Sequence, residues 1–232
     1  HREHHDLRLA VAARSRDELA DKLDAFAGGE LLEGVTSARR SPRAGRAVFV
    51  FPGQGSQWLG MGREMAGEPG FREALARCDA AIRAHAGFSV LDLLFAANDP
   101  RALEPVDVVQ PALFAMQVAI SELWRSWGIE PAVVVGHSMG EIAAAHVAGA
   151  LSLDDAARIV CARSRLVRER NPGNGGMALV ELSLSEAEAA IAGHASRLAV
   201  AAINGPRGVV LSGDRDALSA VLVELRGRGV WL

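Results

Sequence analysis

The chain has 232 residues, of which 50% are hydrophobic and 23% charged, enough apolar material for one sizeable core with a smaller lobe. The formal net charge is −3 and the arginines are scattered, so neither nucleic acid nor an anionic membrane is an expected partner. The two cysteines, Cys78 and Cys161, lack metal-type spacing, and we expect reduced thiols, no metal site and a cytoplasmic protein. No apolar run looks long enough to be a membrane span.

Residues 1–46 predict a small αβ unit that ends in a linker. Residues 7–13, "LRLAVAA", alternate like a strand, and a helix follows with Ser15 and Glu18 in the spacing of a capping box. Residues 30–46 are rich in Gly, Ser, Arg and Pro, which predicts an exposed connection to the next domain.

Residues 47–176 alternate short apolar strands with helices. The strands are "AVFVF", which begins at Ala47, and the "AVVV" run at 132–135. Helices are expected at about 60–86, 107–127, 139–149 and 153–169, and a loop at 171–176. The alternation predicts a mostly parallel sheet covered by helices on both faces.

Residues 177–232 have a different pattern. The order of predicted elements is β-α-β-β-α-β, with the last strand beginning at "VWL" at residues 230–232. This order is typical of the ferredoxin-like unit.

A serine between two glycines, Gly136-His-Ser138-Met-Gly140, joins the second core strand to the helix that follows it. G-x-S-x-G in that context is typical of a nucleophile elbow, where glycines permit close packing and the serine occupies a strained turn. The helix N-terminus behind such a serine supplies N–H groups for an oxyanion. The alternative is a tight turn in which the serine only caps the helix.

A second glycine-rich turn, "FPGQGSQW", follows the first core strand. Gly53 and Gly55 would let backbone amides approach a ligand at the same edge of the sheet. Alone, Gly-Gln-Gly also fits a simple turn.

Three segments together resemble the acyltransferase domain of modular polyketide synthases, which is related to the malonyl-CoA:acyl carrier protein transacylases. They are "FPGQGSQW", "VVQPALFAMQVAI" and "GHSMGEIAAAHVAGALSLDDAARIVCARSRL", and the likeness runs from about residue 47 to the end. The unit before it resembles the end of a ketosynthase-to-acyltransferase linker. The resemblance implies an α/β-hydrolase-like core at 47–176 with a ferredoxin-like lobe at 177–232.

The resemblance also implies the chemistry. Ser138 would take an acyl group from an acyl-CoA and pass it to the phosphopantetheine thiol of an acyl carrier protein, with no cofactor bound by this domain and a ketosynthase as neighbour in the same polypeptide. The N–H groups of Gln54 and Met139 would hold the oxyanion. Arg163 would bind a carboxylate on the substrate, and Gln110 would line the substrate pocket. From its own surroundings, Arg163 in the arginine-rich "CARSRLVRER" also fits a solvated surface residue.

The general base of this family is a histidine that follows the ferredoxin-like lobe, and residue 232 precedes that position. We therefore expect the chain to be a fragment of a longer polypeptide, because it stops within a predicted strand; the alternative is a catalytically incomplete protein. His137 is expected to pack under the turn, and His146 lies about two helical turns from Ser138. His85 and His194 are expected to be solvated at helix ends.

The segments "GQGSQW" and "VDVVQP" resemble members that select methylmalonyl, although Met139 stands where those members usually have glutamine. Methylmalonyl is the favoured extender and malonyl the next. Two other classes compete with this interpretation: a serine esterase of the α/β-hydrolase type, and a non-catalytic docking or structural domain.

Overall fold

A computed structural model describes residues 5–39, 46–96, 99–170 and 173–232. Two compact units are present: His1–Val48 with Glu130–Val133, and Phe49–Ile129 with Val134–Leu232.

The first unit contains a two-stranded antiparallel sheet and one helix. Strand β1 (Leu7–Val11) pairs with β2 (Val35–Arg39), and helix α1 (Arg16–Ala27) lies between them in the sequence. The Ser15 hydroxyl accepts the Glu18 N–H at 3.1 Å, as the capping pattern predicted. The prediction of a linker throughout 30–46 was wrong for β2, because its backbone pairs with β1 along the whole length of both strands.

Two strands carry the predicted catalytic turns. Strand β3 (Ala47–Phe51) and strand β4 (Pro131–Gly136) form a two-stranded sheet. Phe51 is buried, whereas the outward-facing Val50 and Val135 are 67% and 49% exposed. Within the described residues one face of this sheet is therefore not covered, contrary to the prediction of helices on both faces.

Helices α2 to α6 surround the main core. Their bounds are Pro69–Ala86, Val90–Phe95, Val106–Ser126, Gly140–Val147 and Leu153–Arg170. Short 3₁₀ helices occur at Glu64–Gly67 and Pro100–Leu103. Much of the segment before Pro69 was predicted as helix and is not, since Gly60 and Gly62 have φ values of 86° and 87°, outside the helical region.

Helix α4 is central because its surface is apolar over most of its circumference. It packs against α2, α5 and α6, and Phe114 and Val109 are completely buried. Contrary to the sequence analysis, α4 is long and apolar enough to cross a membrane, with a mean hydropathy of 1.3 in its most apolar window. Since 67% of that window is buried inside the protein, packing accounts for the apolar character.

The last part of the chain has a core of its own. Strands β5 (Gly175–Val180), β6 (Leu198–Gly205) and β7 (Gly208–Asp214) form an antiparallel sheet in the order β5-β7-β6. Helices α7 (Leu184–Ile191) and α8 (Arg215–Gly227) pack on it. The predicted loop at 171–176 lies partly outside the described residues, and its last two residues belong to β5.

The predicted final strand is not formed as a strand. The Trp231 carbonyl nevertheless accepts the Glu181 N–H at 3.0 Å, so residues 230–232 pass beside the end of β5. The centre of this smaller core is formed by Val180, Val209, Leu211 and Leu225.

A buried carboxylate ties α2 to the start of α3. Asp79 is 5% exposed and accepts hydrogen bonds from the Ser89 hydroxyl at 2.9 Å, the Leu91 N–H at 3.2 Å and the Arg83 guanidinium at 3.0 Å. Burial alone would raise the pKa of Asp79, but these donors favour the ionised form and hold the pKa below its usual value.

Asp79→Asn should lower the free energy of unfolding at pH 7 by about 1–3 kcal/mol, because an amide replaces a charged acceptor of three donors. A carboxyl whose pKa is depressed by folding stabilises the protein above its unfolded pKa, about 3.9, and this contribution is lost as pH falls through the folded pKa. Urea unfolding from pH 7 to pH 3 should therefore show the two proteins converging below about pH 4. The exposed Asp21→Asn on α1 is the control and should be near neutral at every pH, since the Asp21 carboxylate makes no hydrogen bond or ion pair within the described residues.

Candidate active site

Ser138 occupies a strained turn between β4 and α5. Its φ is 54°, and among the described residues it is the only non-glycine residue with a positive φ. Such a conformation costs about 1–3 kcal/mol and is concentrated at functional positions. The side chain is exposed, so the strain presents a hydroxyl to solvent.

The flanking glycines are required by contacts with β3 and α5. A Cβ on Gly136 would lie 2.6 Å from the Glu141 nitrogen, and one on Gly140 would lie 2.6 Å from the Pro52 oxygen and overlap the Phe51 oxygen. The backbone is held in the same place by the His137 N–H, which donates to the Phe51 carbonyl at 2.9 Å. The start of α5 is therefore packed directly on the end of β3.

The second glycine-rich turn lies beside the serine. A Cβ on Gly53 would be 3.3 Å from the Cβ of Ser138 and 3.2 Å from Nδ1 of His137. The two turns predicted to form one site are thus in contact.

Two backbone N–H groups are unused at this point. Within the described part of the chain, neither the Gln54 N–H nor the Met139 N–H donates a hydrogen bond. Met139 is the N-cap residue of α5 and its side chain is completely buried in the main core, which fixes the backbone that carries this N–H. Free N–H groups on the turns at either side of a serine can stabilise a developing negative charge.

Helix α4 reaches the glycine-rich turn with two glutamines. Gln110 is 6% exposed, and its Nε2 donates to Oε1 of Gln54 at 3.2 Å. Two turns further along the same helix, Gln117 Nε2 donates to the Pro52 carbonyl at 2.7 Å. Gln117 was not among the predicted site residues, although its spacing of seven from Gln110, about two helical turns, places both amides on one helical face.

Arg163 on α6 is connected to the same network. Its Nη1 donates to Oε1 of Gln110 at 2.5 Å, so one amide links the guanidinium to the Gln54 side chain. Arg163 is half-buried and has no carboxylate partner among the described residues. Three other arginines on α6 do form ion pairs with carboxylates: Arg158 with Asp155, Arg165 with Glu169 and Arg168 with Asp107. The half-buried Arg163 is thus a cation held by a neutral group, an arrangement suited to an anionic ligand.

Two histidines lie in or near the serine helix. His137 is exposed, and the prediction that it packs under the turn was wrong, because the elbow directs it outward beside Gly53. His146 is partly buried, and its Nδ1 bonds the Leu151 carbonyl at 3.0 Å.

The other described helix-end histidines and the cysteines have local roles. His85 is not simply solvated as predicted, since its Nε2 is 2.9 Å from Oδ1 of Asp154 and joins α2 to α6. His194 is near the Arg197 side chain in an exposed setting. Cys78 and Cys161 are free and buried, and burial raises the pKa of the first to about 12 and of the second to about 11. Neither thiol is a nucleophile near neutral pH.

Known proteins resemble this chain over nearly its whole length. The family model described as the acyl transferase domain matches residues 48–232. The chain is 52% identical over 225 residues to the spectinabilin polyketide synthase system protein NorC of Streptomyces orinoci, covering 96% of this chain and 10% of that protein. It is 47% identical over 236 residues to the erythronolide synthase EryA2 of Saccharopolyspora erythraea, covering 99% of this chain and 6% of that protein.

Solved structures give the same result. The acyltransferase domain from module 8 of the salinomycin polyketide synthase is 41% identical with a TM-score of 0.90, covering 99% of this chain and 54% of that one. A loading acyltransferase from the avermectin modular polyketide synthase is 46% identical with a TM-score of 0.75, covering 79% of this chain and 59% of that one. The chain belongs to the acyl transferase domain family, and it spans about half of these solved domains and a tenth or less of the two synthases.

Gly140→Ala should destabilise the protein by about 1–3 kcal/mol or more, because the added Cβ overlaps the Phe51 oxygen and neither backbone segment can yield freely. Gly67→Ala is the matched control, since a Cβ there meets nothing within 4 Å. Urea unfolding of both variants measures the difference. Equal stability of the two would show that α5 does not depend on this close approach.

Proposed function

We propose that this chain carries the nucleophile of an acyltransferase domain that loads a polyketide synthase. Ser138 Oγ attacks the thioester carbonyl of an extender acyl-CoA, coenzyme A leaves as its thiol, and the acyl group remains as an ester on Ser138. The phosphopantetheine thiol of an acyl carrier protein then attacks that ester and regenerates the serine. The observation that carries the proposal is the strained, exposed Ser138 beside two N–H groups that have no acceptor among the described residues.

The oxyanion of each tetrahedral intermediate would be bound by the N–H groups of Gln54 and Met139. They lie on the two turns that meet at Ser138, and the intermediate would give both an acceptor that neither has within the described part of the chain. Removal of one such donor typically costs about 10²- to 10³-fold in rate, so the pair is a major part of the proposed catalysis.

The general base would be a histidine supplied by the part of the acyltransferase domain that this chain does not span. His146 is already engaged with the Leu151 carbonyl, which makes it a poor substitute. The base would take the Ser138 proton during attack and return it to the leaving thiolate.

Arg163 would read the free carboxylate of the extender unit. The guanidinium is half-buried and held by Gln110 rather than by a carboxylate, so its charge is left for the substrate. We propose methylmalonyl as the preferred unit and malonyl as the next. A simple serine esterase would have no use for this cation.

The family also leads us to propose the finer architecture and surroundings. The β3–β4 region with α2 to α6 would be part of an α/β-hydrolase-like core, and the β5-α7-β6-β7-α8 segment part of a ferredoxin-like lobe. The first unit would be the end of a linker from a ketosynthase in the same polypeptide.

A chain extended through the proposed histidine should gain one acyl mass on Ser138 after mixing with methylmalonyl-CoA or malonyl-CoA, and Ser138→Ala should abolish the gain. Intact mass with peptide mapping makes the measurement. An adduct that persists in Ser138→Ala, or that maps to Cys78 or Cys161, would show that the nucleophile is another residue.

Arg163→Ala should lower kcat/KM for methylmalonyl-CoA by roughly 10²-fold or more, because the substrate carboxylate loses its partner in a partly desolvated site. Propionyl-CoA, which lacks that carboxylate, should be used as well as before or better. Arg163→Lys should recover only part of the loss, since an ammonium cannot form the planar two-bond contact.

The measurement is a competition between the two acyl-CoAs in the extended chain. Arg158→Ala is the matched control on the same helix, because its guanidinium is exposed and already paired with Asp155. If Arg163→Ala slows both substrates equally, Arg163 supports the fold and does not read the carboxylate.

A further inference from the structure

Gln117 is the one described side chain that binds the main chain of the glycine-rich turn from α4. Its Nε2 donates to the Pro52 carbonyl at 2.7 Å, across 65 residues of sequence. Its Oε1 is buried and has no hydrogen-bond partner among the described residues. A buried acceptor without a partner is unfavourable, and an apolar side chain of the same size would avoid that cost. The amide at position 117 is therefore explained by its donor alone.

The carbonyl that it binds is next to the peptide with the proposed oxyanion donor. The Pro52–Gly53 peptide is planar, so a fixed carbonyl oxygen fixes the whole unit. Between this peptide and the one that carries the Gln54 N–H, the only rotatable backbone angles are φ and ψ of Gly53. Because glycine has the widest conformational freedom, this N–H has no defined direction unless the peptide before it is held.

The turn is held at its other end as well. The Gln54 side chain accepts from Gln110, seven residues before Gln117 on α4, and Gly140 packs against the Pro52 oxygen. Two amides on one helical face thus bind the two ends of the segment that carries the donor.

We propose that Gln117 is a positioning residue for acyl transfer, aligning the Gln54 N–H with the oxyanion through its hydrogen bond to the Pro52 carbonyl. Gln117 itself touches no reacting atom. The inference rests on the proposed function, in which Gln54 supplies one of two oxyanion donors.

The donor role predicts an unusual ranking of variants. Gln117→Met keeps the size but removes the donor, and should lower the rate constant for acylation of Ser138 about 10- to 100-fold, less than the outright loss of a donor. Gln117→Glu is nearly isosteric with glutamine but places acceptor oxygens against the Pro52 carbonyl, so it should be at least as slow as Gln117→Met. A side chain that only fills space would give the opposite order, with Gln117→Glu closest to wild type in rate.

The experiment is single-turnover acylation of the intact acyltransferase domain by methylmalonyl-CoA and by propionyl-CoA, each over a range of concentrations up to saturation. Both substrates should slow by the same factor while KM changes less than twofold, because the oxyanion is common to all thioesters and its donor acts in the transition state. Ser121→Ala is the control on α4, since its buried hydroxyl donates to the Val118 carbonyl inside the helix and does not reach the turn. It should leave the acylation rate unchanged, whatever its effect on the Tm.

Three results would overturn the inference. Gln117→Met and Gln117→Glu could acylate within twofold of wild type, Gln117→Glu could be the faster of the two, or Ser121→Ala could lose as much rate as either at an equal Tm. In each case a wild-type domain that acylates on Ser138 leaves the proposed function standing. A wild-type domain that leaves Ser138 unacylated would overturn both.

Discussion

The close approach of Gly140 to the end of β3 is the contact on which the site depends. With no side chain at this position, the first turn of α5 rests on the carbonyl groups of Phe51 and Pro52, closer than any Cβ would permit. The chain between β4 and α5 then has only three residues in which to reverse direction, and Ser138 occupies the left-handed region as a result. The same contact places the glycine-rich turn after β3 next to the serine. Strain, exposure and the neighbouring N–H groups thus have one geometric origin.

The side chains that hold Arg163 in the network behind the turn are neutral amides. Arg163 is held by an amide, and that amide is held in turn by Gln54. A glutamate at position 110 would bind the guanidinium more strongly, but it would also neutralise the charge and compete with an anionic ligand. Glutamine orients the guanidinium and, being neutral, leaves its positive charge uncompensated. The arginines elsewhere on α6 that pair with carboxylates have lost that capacity.

The parts of this site that sequence reasoning could find are those that depend on local geometry. Ser138 has glycines two residues before and after it, and it lies between a β-branched run and a helical pattern. This local sequence predicts the turn without any knowledge of the tertiary contacts. Gln117 could not be found in the same way, because its partner Pro52 is 65 residues distant and only the packing of α4 brings them together. The pairing of His85 with Asp154 has the same cause. The strand Val35–Arg39 was not predicted, because its own composition does not favour a strand. It is extended because it pairs with β1.

The outward face of the β3–β4 sheet has a practical consequence for anyone who handles this polypeptide. Val50 and Val135 leave about half or more of their surfaces in water, on neighbouring strands of a narrow sheet. Exposed apolar side chains on neighbouring strands of an open sheet attract other apolar surfaces, including the same face of another molecule. Concentrated solutions of the 232 residues alone are therefore expected to self-associate through this face.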